Sequence, residues 1–368
     1  MKGPAMADRK IIRTGFGLLA SMLIFVGGCG ESGTAPDTEN PGKIGDPASG
    51  GKTPSEETFR DGVDKRNLPG LSLIGDTATL TVYVADRYNR YSGLPSGLNV
   101  HVASENGIAT NTDVAAADDE GKVTFTLRTQ GEPEDVGEPS WVSSLESTLG
   151  GYTWNGSFSG NGYPGKGLVS VLYYTNGEEE YTDANANGKR DAGEAFVDTP
   201  MDPYVDANAN GSWDTGENYV DSNGDGAYTG GNNAWDSSKL IFRNTYMLVT
   251  GQPRVGVSAS STSISSGGTL DAEVVVCDDN YNRISSGSTI AITTTGGISL
   301  IAGKENITLP ATAAVGNSAS TQLALIRNTL RFKHDGTTTG DASFTVTVTW
   351  QKGDSTETLT QKYTITGP

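Results

Sequence analysis

One short pattern occurs twice in this chain, and it sets the architecture. TLTVYVADRYNRYSG (79–93) and AEVVVCDDNYNRISSG (272–287) each carry an alternating run into D-x-Y-N-R, Asp86 to Arg90 and Asp279 to Arg283. Apolar residues at every second position mark a strand with one buried face. Leu80, Val82 and Val84 share such a face; the same offset from the second motif falls on Glu273, Val275 and Cys277. Cys277 is therefore expected in the core place of Val84, where a thiol acts as a small hydrophobe.

The parallel extends along both copies. NVHVASENGI (99–108) matches TIAITTTGGI (289–298), and the turn and strand DDEGKVTFTLR (118–128) match SASTQLALI (318–326). GLVSVLYYT (167–175) pairs with ASFTVTVTW (342–350), and TYMLVTG (245–251) with KYTITG (362–367). The chain has 49 Gly and no long helix-period run. Six or seven short strands per copy predict an all-β fold of two tandem sandwiches, over 69–252 and 253–368.

The strand ending in Asp86-Arg87-Tyr88-Asn89, the short strand after it, and Asp119-Glu120-Gly121-Lys122 before Val123-Thr124-Phe125 resemble the bacterial immunoglobulin-like domains of invasin- and intimin-type surface proteins. Tyr88, Asn89 and Arg90 stand where that family's D-x-x-G-N-P-V wording would be. The resemblance covers most of 70–175 and 238–368 and implies spacer or adhesion modules.

The copies differ at one connection. The last two strands of the second are joined by QKGDST (351–356); those of the first are separated by about 176–238. From Glu178 to Asp236 this insertion holds 14 Asp and Glu against Lys189 and Arg190. A loop of that length and charge needs an organiser. Oxygen ligands at positions 1, 3, 5, 7, 9 and 12, with glycine at 6, are the pattern of a calcium loop. DANANGKRDAGE offers Asp183, Asn185, Asn187, the Lys189 carbonyl, Asp191 and Glu194 around Gly188. DANANGSWDTGE offers Asp206, Asn208, Asn210, the Ser212 carbonyl, Asp214 and Glu217 around Gly211. DSNGDGAYTGGN offers Asp221, Asn223, Asp225, the Ala227 carbonyl and Thr229 around Gly226, but ends on Asn232, so a weaker site borrowing Asp236 is expected. Two or three Ca²⁺ ions are predicted. No helix flanks these loops, which resemble dockerin or thrombospondin type 3 repeats. AFVD (195–198), PYVD (203–206), NYVD (218–221), Trp213 and Trp235 supply apolar groups for a small core between ions.

The N-terminal 28 residues read as an export signal: Lys2, Arg9, Lys10 and Arg13, then GFGLLASMLIFVGG. Val26-Gly27-Gly28-Cys29 resembles the bacterial lipoprotein box, which implies that Cys29 carries lipid and anchors the mature chain. Gly30 favours the outer membrane over inner-membrane retention. Residues 29–68, poor in large apolar groups, are expected to be a flexible tether. Cys277 is then the lone thiol, so no intrachain disulfide forms. The net charge of −18 argues against nucleic-acid partners.

No nucleophile–base pair, metalloprotease motif or phosphate loop is present, and no catalytic residue is assigned. The expected protein is a non-catalytic, calcium-binding surface lipoprotein, its insertion projecting to meet a protein or polysaccharide or simply stiffening the module. The alternative is a carbohydrate-binding accessory module or a subunit of a surface polysaccharide-processing system. Tyr152, Trp154, Phe158 and Tyr163 in GYTWNGSFSGNGY (151–163) would then stack on sugar; the other reading packs them onto the sandwich.

Overall fold

The computed structural model describes residues 53–368 apart from 72–73, 132, 134, 136, 158–161 and 186. The export signal, Cys29 and the tether up to residue 52 lie outside the described residues.

Strands dominate, as the alternation predicts, and they form four sheets consistent with immunoglobulin-like sandwiches. The first unit contains β1 (Arg60–Val63), β2 (Asn67–Leu68), β3 (Thr77–Tyr83), β4 (Asn99–Ser104), β5 (Ile108–Thr110), β6 (Val114–Ala116) and β7 (Lys122–Thr129). Then come α1 (Val142–Leu149), β8 (Thr153–Trp154), β9 (Leu168–Gly177) and β10 (Lys239–Val249). The second unit has β11 (Arg254–Ala259), β12 (Thr269–Cys277), β13 (Thr289–Thr295), β14 (Ile298–Ala302), β15 (Asn306–Thr308), α2 (Ala319–Ile326), β16 (Arg327–His334), β17 (Ala342–Lys352) and β18 (Ser355–Ile365). Sheet orders are β1-β3-β7-β5 facing β2-β10-β9-β4-β6, and β14-β16-β12-β11-β8 facing β15-β13-β17-β18.

Each core is the set of inward positions the alternation marks. Leu80, Val82, Val123, Phe125 and Leu127 meet Val100, Val102, Val169, Val171 and Tyr173 in the first. Val274, Val276, Leu330 and Phe332 meet Ile290, Phe344, Val346 and Val348 in the second. Fully burying one such side chain stabilises by about 1.5–3 kcal/mol. The shared turns fix the true equivalence. Asp86 accepts the N–H groups of Tyr88 and Arg90, and Asp278 those of Asn280 and Asn282. Asn89 and Tyr281 then take left-handed φ of 60° and 56°.

That turn corrects the expected register by one residue. Val276, not Cys277, matches Val84, and a one-residue slip moves a side chain to the opposite face. Cys277 is buried outside the sandwich interior, beneath α1 and α2, with Leu145, Leu149, Leu323 and Ile326. Burial pushes its thiol pKa well up.

SASTQLALI is a helix rather than a strand. Ser318 and Thr321 form a reciprocal capping box, and Leu323 and Ile326 bury one face, as helical spacing allows. The strand in that place is the next segment, RNTLRFKH, whose Leu330, Phe332 and His334 alternate inward.

Residues 53–68 are not tether. Ser55 and Glu56 are buried, Phe59 joins the core, β1 pairs with β3 and β2 lies parallel to β10. A single aromatic among polar residues left little hydrophobic signal there.

The two sandwiches share parts. β8, from the first copy's long connection, pairs with β11. Trp154 packs on Gly256, where a Cβ would sit 2.9 Å from the indole ring, and Tyr152 donates to Glu273 at 2.6 Å. The described aromatics of 151–163 thus follow the packing reading; Phe158 lies outside the described residues.

Candidate metal centre

The insertion leaves at the end of β9 and returns at the start of β10, which pair in register from Leu168↔Leu248 to Gly177↔Lys239. It does not project. It folds back over the outer face of this sheet, where Leu172 and Phe242 meet Tyr204, Val205 and Trp213, with Tyr219, Val220 and Tyr228 against them. Trp213 stacks on Tyr228 at 4.0 Å, and Tyr204 packs edge-on to Phe242 at 5.4 Å. Trp235 stands apart, edge-on to Tyr181 at 5.3 Å, and Val197 is exposed rather than packed.

Short β-bridges take the place of flanking helices. Tyr181 pairs with Phe196 around 183–194, and Tyr204 with Tyr219 around 206–217. Each bridge lies two residues beyond the loop ends, holding positions 1 and 12 together.

Inside, both loops are tied by the same hydrogen bonds. The position-1 carboxylate accepts the N–H groups of positions 5 and 6: Asp183 from Asn187 and Gly188 (3.1 and 2.8 Å), Asp206 from Asn210 and Gly211 (3.1 and 2.8 Å). The position-12 carboxylate accepts those of positions 2 and 9: Glu194 from Ala184 and Asp191 (both 2.8 Å), Glu217 from Ala207 and Asp214 (2.6 and 3.4 Å). The amides at positions 3 and 5 donate to position 9: Asn185 and Asn187 to Asp191, Asn208 and Asn210 to Asp214. Gly188 and Gly211 have φ of 77° and 76°, the left-handed region position 6 requires.

The third loop keeps the position-6 bond of this frame and takes the N–H of position 4 in place of position 5. Asp221 accepts from Gly224 and Gly226 at 2.7 and 2.9 Å. Its closing carboxylate is Asp202, not the Asp236 expected from the sequence. Asp202, fully buried, accepts the N–H groups of Ser222 (position 2) and Thr229 (position 9), both at 2.8 Å. These are the two positions that Glu194 and Glu217 hold in the other loops.

Asp236 belongs to a fourth frame, assembled from three segments. Asp198 accepts from Asn232 and Asn233 at 3.1 and 2.8 Å, as a position-1 residue does from positions 5 and 6. Asn233 supplies the left-handed φ, 60°. Asn232 donates to Asp236 at 2.8 Å, as position 5 does to position 9. Glu179 accepts from Thr199 and Asp236, both at 3.0 Å, as position 12 does from positions 2 and 9. The sequence carried two signals for it: NNAWD (232–236) repeats NGSWD (210–214), and AFVD ends on a position-1 Asp as PYVD and NYVD do.

Two anchors fix the frames to the sandwich. Tyr246 of β10 donates to Asp206 Oδ2 at 2.7 Å. Lys239 opens β10 fully buried; its ammonium donates to Glu179 (3.0 Å), the Thr199 carbonyl (2.7 Å) and the Pro200 carbonyl (2.8 Å).

Among the described residues no three Asp, Glu, His or Cys side chains gather closely enough to hold a metal by themselves. Any ion here would draw also on Asn and backbone oxygens, which suits a hard cation such as calcium. The Asn amides that donate to Asp191 and Asp214 hold their oxygens on the N–H groups two residues on, Asn185 on Asn187, Asn187 on Lys189, Asn208 on Asn210 and Asn210 on Ser212. Each such oxygen keeps a second lone pair for a cation. The donor set fits calcium in type and spacing.

No family model matches this chain, and no curated protein does. Distant likenesses exist among solved structures. The Yersinia pseudotuberculosis adhesin InvE overlaps 86% of this chain at 11% identity and a TM-score of 0.24, and the chain spans 61% of that protein's length. Domains 5–6 of the S-layer protein SbsC overlap 84% of it, and 98% of their own length, at 11% identity and a TM-score of 0.18. The collagen adhesin CNA from S. aureus overlaps 86%, and 96% of its own length, at 8% identity and a TM-score of 0.18. Overlaps this loose say nothing of ligand or activity.

Proposed function

We propose that the protein is a non-catalytic, calcium-stapled module of the bacterial cell surface, held to a membrane through lipid on Cys29. Its sandwiches serve as a spacer or adhesion stalk. The observation that carries the calcium reading is the recurrence of one hydrogen-bond frame at 183–194 and 206–217, kept in part at 221–229 with Asp202, in a segment whose acids far outnumber its bases. Asp198, Asn232, Asp236 and Glu179 extend the reading to a fourth ion. Calcium would neutralise the carboxylates and hold the segment against β9 and β10. The insertion's close cover of the sheet favours a structural role for the ions over display of a free recognition loop. Extracellular calcium modules bind at about 10⁻⁴ to 10⁻³ M, so such a staple would be set outside the cell. A protein or polysaccharide would be the partner in adhesion.

The test is calorimetric titration of calcium into chelator-treated full-length protein, followed by thermal melts with and without the ion. The expected result is uptake of three or four ions with a higher melting temperature. No uptake and an unchanged melt would overturn the reading and leave a plain spacer.

A further inference from the structure

In a chain of net charge −18, cationic side chains ordinarily meet carboxylates. Of the three cations that line one slot of the second sandwich, Arg327 meets Glu273 at 3.0 Å and the other two do not pair. The slot opens between the two sheets, floored by Val274 and Val276 of β12 and Ile290 of β13, with Leu309 at its side. Arg283 and Lys304 stand on its wall, and among the described residues neither side chain forms an ion pair. The Arg283 guanidinium makes one long hydrogen bond, to Thr312 Oγ1 at 3.4 Å, and its Nε is buried with no partner. Burial pulls its pKa down. A half-desolvated guanidinium beside apolar walls is costly until an anion meets it.

We infer that this slot binds a small carboxylic acid with a short apolar chain. A guanidinium is matched by a carboxylate in two parallel hydrogen bonds, and the valine and isoleucine floor takes the chain. The cavity is about 200 Å³, roughly seven water volumes, which limits the ligand to an acid of about six carbons. The site is also held in place. The Arg283 carbonyl accepts from Asn67 of the first sandwich at 2.6 Å, and the neighbouring Ile284 carbonyl does so at 3.0 Å. The inference is independent of calcium.

Calorimetric titration of full-length protein in excess calcium with hexanoate, 1-hexanol and hexylamine tests it. Hexanoate should saturate one site and hexylamine should not bind. Affinity should rise about fourfold per methylene from butyrate to hexanoate. Arg283→Gln should lose about tenfold or more, the loss typical of a charged hydrogen-bond donor. Lys304→Gln, at an exposed position, should weaken binding a few-fold with no change in melting, and it decides the matter if Arg283→Gln folds poorly. Equal binding of hexanoate and hexanol, unchanged affinity in both variants, or no saturable binding would each overturn the inference.

Discussion

The hydroxyl of Tyr246, on the outer face of β10, lies 2.7 Å from Oδ2 of Asp206, the first residue of the second calcium-type loop. Sheet and loop meet at that contact. Burial and the neighbouring Asp206 both raise the tyrosine's pKa, so it remains a donor at any physiological pH. Hydrogen bonds behind metal ligands typically govern affinity by 10- to 100-fold. Tyr246→Phe should weaken one calcium site by about tenfold while leaving the number of ions unchanged. Calorimetry on the variant checks this, and a lost ion would instead make Tyr246 part of the fold of that loop.

The closing carboxylates separate the third site from the fourth. Asp202→Asn should remove or weaken one ion, and Asp236→Asn a different one, so the double variant should lose both. If Asp236→Asn alone abolished third-loop binding, the assignment of Asp202 would be wrong.

Lys239 and Glu179 are both fully buried at the root of the insertion. Removing one member of such a pair strands the other charge and typically costs about 3–5 kcal/mol. Lys239→Met should destabilise the first sandwich by that amount in urea unfolding. Glu179→Gln combined with Lys239→Met should recover part of it.

Asp278 lies at the joint between sandwiches, accepting from Gly251 at 2.9 Å as well as from its own turn. Burial lifts its pKa from 3.8 to about 6. The folded state therefore holds this proton more tightly than the unfolded chain between those values. The group's contribution to stability falls as pH rises through that window and is flat above it. Asp278→Asn should remove this pH dependence. It should also cost about 1–3 kcal/mol, because an amide NH₂ cannot accept from both sides as the carboxylate does. Melting curves from pH 4 to 7 show both effects.

Local patterns were legible and long-range ones were not. Loops 183–194 and 206–217 carry the carboxylates of their hydrogen-bond frame within twelve residues, so spacing alone exposed the loops. Asp202 and Glu179 act on N–H groups 20 to 57 residues away, and only the folded insertion brings them there. The strands were visible because alternation is a local consequence of burial on one face. The register of Cys277 was not. The repeated letters D-x-Y-N-R begin at Asp279, whereas the turn is built by Asp278, whose carboxylate makes the hydrogen bonds. SASTQLALI misled because its apolar residues suit either period, and the capping box that decided for helix lay in two hydroxyl side chains.

The paired hairpins of the two copies also differ in how quickly they can form. β17 and β18 are joined by Gly353 and Asp354 alone, whereas β9 and β10 must find each other across residues 178–238. Loop closure costs about 0.6 kcal/mol for each doubling of length, so the longer search is penalised by about 3 kcal/mol. An insertion condensed around bound cations would shorten that search. The second sandwich would then collapse promptly and the first would wait on mineral supply, making the order of assembly a property of the surrounding medium rather than of the order in which the chain is synthesised.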